Sequence, residues 1–244
     1  NIGGISVGGM VSNRKTFSNI LMPNVHHLRH THLPENLFVK GEPETGVDLA
    51  NDLERIAANI GPENIAACIV EPIAGSTGTL VPPKGYLQRL RDICDKHGIL
   101  LIFDEVITGW GRTGSPFASQ AFGVTPDIMT MAKAVTNGVV PLGAVASREN
   151  IYDTVLDASP MGAVEFFHGY TYSAIPVSMA AGLAMQNIIE KENLFQRSKD
   201  MSPYFLDGLF SLKDIDVITD IRGYGMMGGI DIHLDERPGK AGYA

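Results

Sequence analysis

The sequence predicts an α/β fold built on a mostly parallel sheet flanked by helices. Three short apolar runs predict it: Ile65 to Val70, Ile99 to Phe103 and Ile128 to Met131, each of strand length and each bounded by Gly, Pro or acid residues. Continuous runs of this kind suit strands covered on both faces, although their periodicity alone is equally compatible with buried helical segments. The second observation is the helix-period segment between the first two runs, which makes strand, helix, strand, a right-handed crossover by the usual rule. The third is polar. Glu71, Asp104 and Lys133 stand at or just past the carboxyl ends of the three runs, the side of an open α/β sheet where ligands bind.

Taken in order, residues 1–24 open on a glycine-rich stretch without a helix cap. His26, His27, His30 and His32 resemble a metal cluster, but no carboxylate or thiol accompanies their spacing, so a loop crossing the sheet edge is the expectation. From Gly46, Leu49, Leu53, Ile56 and Ile60 fall on one helical face, stopped by Gly61-Pro62. Pro82-Pro83 starts a helix with Tyr86, Leu87, Leu90, Ile93 and Cys94 inward. Lys96 and His97 close its last turn, and Gly98 ends it. Pro141 to Ala146 is a further apolar run, followed by a helix to Leu156 and a loop over 157–169. Pro176 opens a helix through Met179, Leu183 and Ile188, whose small residues Ser178, Ala180, Ala181, Gly182 and Ala184 allow close packing, and another runs from Asn193 to Phe210, disturbed near Pro203. Val217 to Ile221 reads as a strand, with Gly223, Gly225, Gly228 and Gly229 as punctuation after it. A composition shift near Lys213 suggests a second domain, dividing the chain into 1–211 and 212–244.

The 244 residues, 44% hydrophobic, are enough to bury a sizeable core, and a net charge of −8 argues against a general nucleic-acid or anionic-membrane binder. No apolar run reaches membrane-spanning length. The two cysteines, Cys68 and Cys94, lie inside apolar elements, so buried free thiols and a reducing, cytoplasmic setting are expected.

The stretches DEVITGWGRTG from Asp104, MAKAVTNGVVPLGAV around Lys133 and HGYTYSAIP at 168–176 together resemble class III pyridoxal-phosphate aminotransferases. VEPIAGSTGTLVPPKGYLQRLRDICDKHGILLIFDEV is most similar to the ω-amino acid:pyruvate, or β-alanine:pyruvate, branch. The resemblance implies the fold type I large domain over 1–211, the start of a small α+β domain over 212–244, and pyridoxal 5'-phosphate as cofactor. It also implies transfer of an amino group from an ω-amino acid or amine to pyruvate. Lys133 would form the Schiff base, its amine available because burial lowers a lysine pKa. Asp104 would hold the pyridine nitrogen protonated, Val106 would pack on a ring face, and Glu71 would steady the site. Thr171 would donate to the cofactor phosphate of a neighbouring protomer, which makes a homodimer or homotetramer the expected assembly.

The same resemblance marks two departures. Ile175 stands where the family commonly has histidine before the proline, and Ile107 replaces a glutamine that some members place after the valine. The phosphate-binding turn is expected upstream of Asn1 and the substrate-carboxylate arginine beyond Ala244, so the large domain reads as N-terminally incomplete and the small domain as truncated. Arg112 and Arg222 match neither position. Ornithine- and γ-aminobutyrate-type enzymes, aminomutases and a non-catalytic fragment are the alternatives that the scaffold leaves open.

Overall fold

The computed structural model describes residues 2–233. Short helices α1 (Ile2–Val7) and α2 (Val11–Thr16) begin the chain, in a region where no helix cap predicts them. An irregular segment follows, and the helix expected from Gly46 divides into a 3₁₀ turn, Val47–Asn51, and α3 (Asp52–Ile60). Then come β1 (Ala67–Val70), α4 (Tyr86–His97), β2 (Leu100–Asp104), α5 (Ala118–Ala121), β3 (Ile128–Met131) and β4 (Ala144–Ser147). The remainder is α6 (Glu149–Asp157), α7 (Pro176–Lys191), α8 (Leu194–Phe210), β5 (Ile218–Tyr224) and β6 (Met227–Ile232).

The main sheet has the order β1-β2-β3-β4, with β1–β2 and β2–β3 parallel and β3–β4 antiparallel. This is the α/β class predicted. α4 makes the crossover because its apolar residues recur at helical spacing: Tyr86, Leu87, Leu90, Ile93 and Cys94 are all buried, packed with Leu101 and Phe103 of β2 and Leu49 and Leu53. Each such side chain contributes about 1.5–3 kcal/mol over leaving it in water. Arg91 of the same helix reaches Asp127 at 2.7 Å, and Asp127 accepts a bond from the Leu101 amide, tying α4 to the entry of β3. Cys68 and Cys94 are free and buried, as expected.

One expectation changes here. β1 and β2 are buried on one face only: Leu101 and Phe103 lie under α4 at 0% exposure, while Ile69 on β1 is 40% exposed and Leu100, Ile102 and Asp104 are half-exposed; β3 is half-exposed along its length and β4 is exposed throughout. An apolar run records that both faces are hydrophobic, and among the described residues only one is covered. In α7 the buried positions are Ser178, Gly182 and Ile189, and Leu183 is 63% exposed. The small residues decide the face. A Cβ on Gly182 would meet Leu142 at 3.3 Å, so the helix approaches the Pro141–Leu142 turn along its small-residue stripe, where Ser178 bonds the Pro141 carbonyl.

β5 and β6 form a separate antiparallel sheet. The glycines read as punctuation lie within it: Gly223, Gly228 and Gly229 are strand residues. A Cβ on Gly223 or Gly228 would fall 2.5 Å from Leu206 or Leu209 of α8, so their absence of side chains lets α8 dock. The expected small domain, 212–244, overlaps the described residues only as far as 233; 234–244 lie outside them.

Candidate active site

Parallel register assembles the site. Val70 pairs with Phe103 and Phe103 with Met129, so Glu71, Asp104 and Thr130 occupy the next row at the carboxyl edge. Alternation along β2 puts Asp104 on the Ile102 side, the open face of the sheet. Its Oδ1 accepts the Val106 amide at 3.0 Å, and no donor among the described residues reaches its other oxygen. The turn after Asp104 is rigid because Glu105 anchors it. This carboxylate, fully buried, accepts from Thr108 Oγ1 at 2.5 Å and from the Ala118 and Ser119 amides at 2.9 and 2.7 Å, capping α5, while its own amide bonds Thr130 O. Glu105 therefore supports the turn that carries Asp104.

Lys133 follows β3 into a 3₁₀ turn, Lys133–Val135, at φ +50. Left-handed backbone on a side chain with a Cβ costs about 1–2 kcal/mol. The neighbours hold it there: Val135 and Thr136 are buried, Thr136 Oγ1 donates to Val140 O at 2.7 Å, and α7 packs on the turn. The expectation of a buried lysine is not met. Lys133 is exposed among the described residues.

Glu71 joins these two electrostatically. Burial pushes its carboxyl above the ordinary range, the Gly75 amide at 3.0 Å opposes that, and Asp104 and Lys133 act in opposite senses. Both groups are thus near enough to Glu71 for their charges to act on it. Val106 is half-buried beside Asp104. Thr171 stands apart. It is exposed in a turn closed by Tyr170 N–H to Ser173 Oγ at 3.2 Å, on a loop whose Phe166, His168 and Tyr170 rings stack successively at 5.6 and 5.2 Å. Ile175 caps α7 through its carbonyl, which the Ser178 and Met179 amides approach at 3.0 and 3.2 Å, so the histidine-to-isoleucine departure leaves this helix start intact.

An acid with an unengaged oxygen, at the carboxyl ends of parallel strands beside a solvent-facing lysine, fits the pyridine nitrogen and aldehyde of pyridoxal phosphate. Comparison with known proteins agrees. The description "Aminotransferase class-III" matches residues 2–240. The chain belongs to the class III aminotransferases. It is 55% identical over 238 residues to an omega-aminotransferase of Caulobacter vibrioides, covering 97% of this chain and 53% of the relative. It is 52% identical to a beta-alanine–pyruvate aminotransferase of Pseudomonas aeruginosa, covering 95% and 52%. Among solved structures, the omega transaminase of Pseudomonas jessenii in complex with PMP superposes with a TM-score of 0.87 at 34% identity, over 95% of this chain and 51% of that one. This class III chain spans about half the length of the relatives it matches.

The histidines divide. His27 bonds Gly8 O and contacts Arg14, whereas His32 lies 3.8 Å from Asp220. Sequence spacing missed this partner because it is supplied from β5, where Arg222 bridges Asp220 and Asp231. Arg112 turns inward and donates to Ile107 O at 2.8 Å.

Proposed function

We propose that the protein is a pyridoxal-phosphate-dependent transaminase that moves an amino group from an ω-amino acid or amine, such as β-alanine, to pyruvate. One observation carries this reading. Asp104 and Lys133 sit at the ends of hydrogen-bonded parallel strands, within a chain more than half identical to an omega-aminotransferase and a beta-alanine–pyruvate aminotransferase. The cofactor, when bound, supplies an electron sink that lets the donor's amino-bearing carbon lose a proton. Lys133 provides the amine that holds the cofactor's aldehyde carbon and, once released, carries that proton. Asp104 keeps the ring nitrogen protonated through its unengaged oxygen, a charge-assisted bond worth about 1.5–3 kcal/mol. Val106 covers one ring face, Glu71 steadies the turn beneath the site, and Thr171 donates to the phosphate held by a partner protomer.

The same reading makes the minimal active unit a homodimer in the cytoplasm, with residues 1–211 as the cofactor-binding domain and 212–244 as the start of a smaller one. Support for the division is that β5 and β6 form a sheet separate from the four-stranded one. Two free buried thiols accord with a reducing compartment, and no helix among the described residues is long and apolar enough to cross a membrane. For the substrate, Gly75-Ser76-Thr77-Gly78 presents hydroxyls and no carboxylate. A carboxylate-binding arginine would then have no acid in this loop to pair with, and would be free for pyruvate. The test assays the complete gene product with β-alanine, an aralkyl amine, ornithine and γ-aminobutyrate, against pyruvate and 2-oxoglutarate. Turnover of β-alanine or the amine with pyruvate is expected; preference for ornithine with 2-oxoglutarate overturns the substrate assignment.

A further inference from the structure

The loop from Ala74 to Leu80 is packed at its ends, where Thr79 is buried, and open at its tip. Ala74 and Leu80 close its neck with reciprocal amide-to-carbonyl bonds of 3.1 and 2.9 Å, and Ser76 and Thr77 at its tip are exposed. Its course is set by what grips each end. At one end Gly75 donates to Glu71 Oε2 and presses on Ile107, where a Cβ would lie 2.6 Å from the side chain. At the other end Gly78, at φ +123, gives its carbonyl to Arg222 Nε at 2.9 Å. Thr79 adds a bond from Oγ1 to Gly228 O at 3.2 Å.

Arg222 is itself fixed. It is 6% exposed, its two terminal nitrogens each reach Asp231 at 2.8 Å, and one of them also bonds Asp220, which is 0% exposed. Asp220 in turn accepts the Phe38 amide at 2.6 Å. Every nitrogen of the guanidinium is thereby committed. The planar fork addresses three partners in three directions, which a lysine ammonium on a flexible stem cannot reproduce. His32 faces the same cluster, and its ring nitrogen and the Asp220 and Asp231 oxygens fall within 4.8 Å of one another, with Arg222 as the cation among them.

We infer that Arg222, held by Asp220 and Asp231, is a positioning residue for the Gly75–Gly78 loop and through that loop sets which amino donors the site accepts. The inference rests on the proposed transaminase reading for its substrate half only. A loop with two glycines in four residues has little stiffness, so releasing Gly78 loosens Ser76 and Thr77 while Gly75 stays on Glu71. Donors that contact the loop differently then lose transition-state binding unequally.

The test uses the complete gene product with cofactor and the variants Arg222→Lys, Arg222→Met and Asp231→Asn. Amide exchange is read over 74–80, where the Gly78 and Thr79 amides bond Gly75 O at 3.1 Å and give a protected baseline. Arg222→Lys and Asp231→Asn are expected to speed exchange there by about tenfold or more, with β1 and β2 unchanged. They are also expected to shift the ratio of kcat/KM for β-alanine over an aralkyl amine by about fivefold or more. Unchanged loop exchange in a folded variant overturns the positioning role. Faster exchange with an unchanged ratio, or a uniform loss across donors, overturns the specificity role. If both Arg222 variants fail to fold, Asp231→Asn decides, because that side chain is 44% exposed. A wild-type protein inert toward every donor defeats the functional reading, and the exchange result still judges the clamp.

Discussion

Asp104 lies directly across from Thr130 in the β2–β3 register, so Lys133 begins its turn three residues past the acid's own row. Acid and amine thus come from the ends of adjacent strands. Asp104→Asn keeps an oxygen for the Val106 amide, so the turn survives. The lost charge should slow both half-reactions on the order of 100-fold or more, with cofactor affinity changed far less. Stopped-flow half-reactions beside equilibrium dialysis check this; near-normal turnover would refute the ring contact.

Lys133→Ala should abolish transamination and the cofactor adduct that borohydride traps, read by intact-protein mass. The backbone there adds a second expectation. At φ +50 both Lys and Ala are strained, whereas glycine is not. Lys133→Gly should therefore be equally inactive yet about 1 kcal/mol more stable to urea than Lys133→Ala.

Glu71 gives the pH prediction. Burial raises its folded pKa above the ordinary value of 4.5, so the folded state holds the proton more tightly than the unfolded chain. Stability from this group is present below the unfolded pKa and is lost as pH rises through the folded one. A glutamine side chain in its place would mimic the protonated acid, and the amide oxygen can still accept the Gly75 N–H. In cofactor-free protein, Glu71→Gln should raise the melting temperature at neutral pH, the gain vanishing below about pH 4. A gain that persists in acid would assign it to something other than ionisation.

Thr171→Ala should weaken cofactor binding only in the associated protein, because its exposed turn serves a partner's phosphate. Activity should fall on dilution in step with dimer dissociation measured by sedimentation. Fully active monomers would remove this role.

The strand and helix cores were legible because apolar runs and helical spacing survive any tertiary context: Leu90, Ile93, Leu101 and Phe103 all fall where hydrophobicity alone puts them. Asp104 and Lys133 were legible as polar residues ending such runs. What the pattern hid depended on partners distant in sequence. Gly223 and Gly228 look like turn residues until Leu206 and Leu209 press on them. Lys133 is exposed where a buried lysine is expected, and no local periodicity records that. Arg222 carried no motif; its meaning comes from Asp220, Asp231 and Gly78 meeting it in space.

The register that lines up Glu71, Asp104 and Thr130 also governs how this chain can change length over evolutionary time. Inserting or deleting one residue within β2 would turn Asp104 through the sheet to the face packed by α4, burying a carboxylate among Leu90 and Ile93 and stranding the lysine. Strands β1 to β3 should accept substitutions but not gaps. The irregular stretch 158–168 carries no such phase, and there lineages are free to lengthen or shorten without disturbing the chemistry.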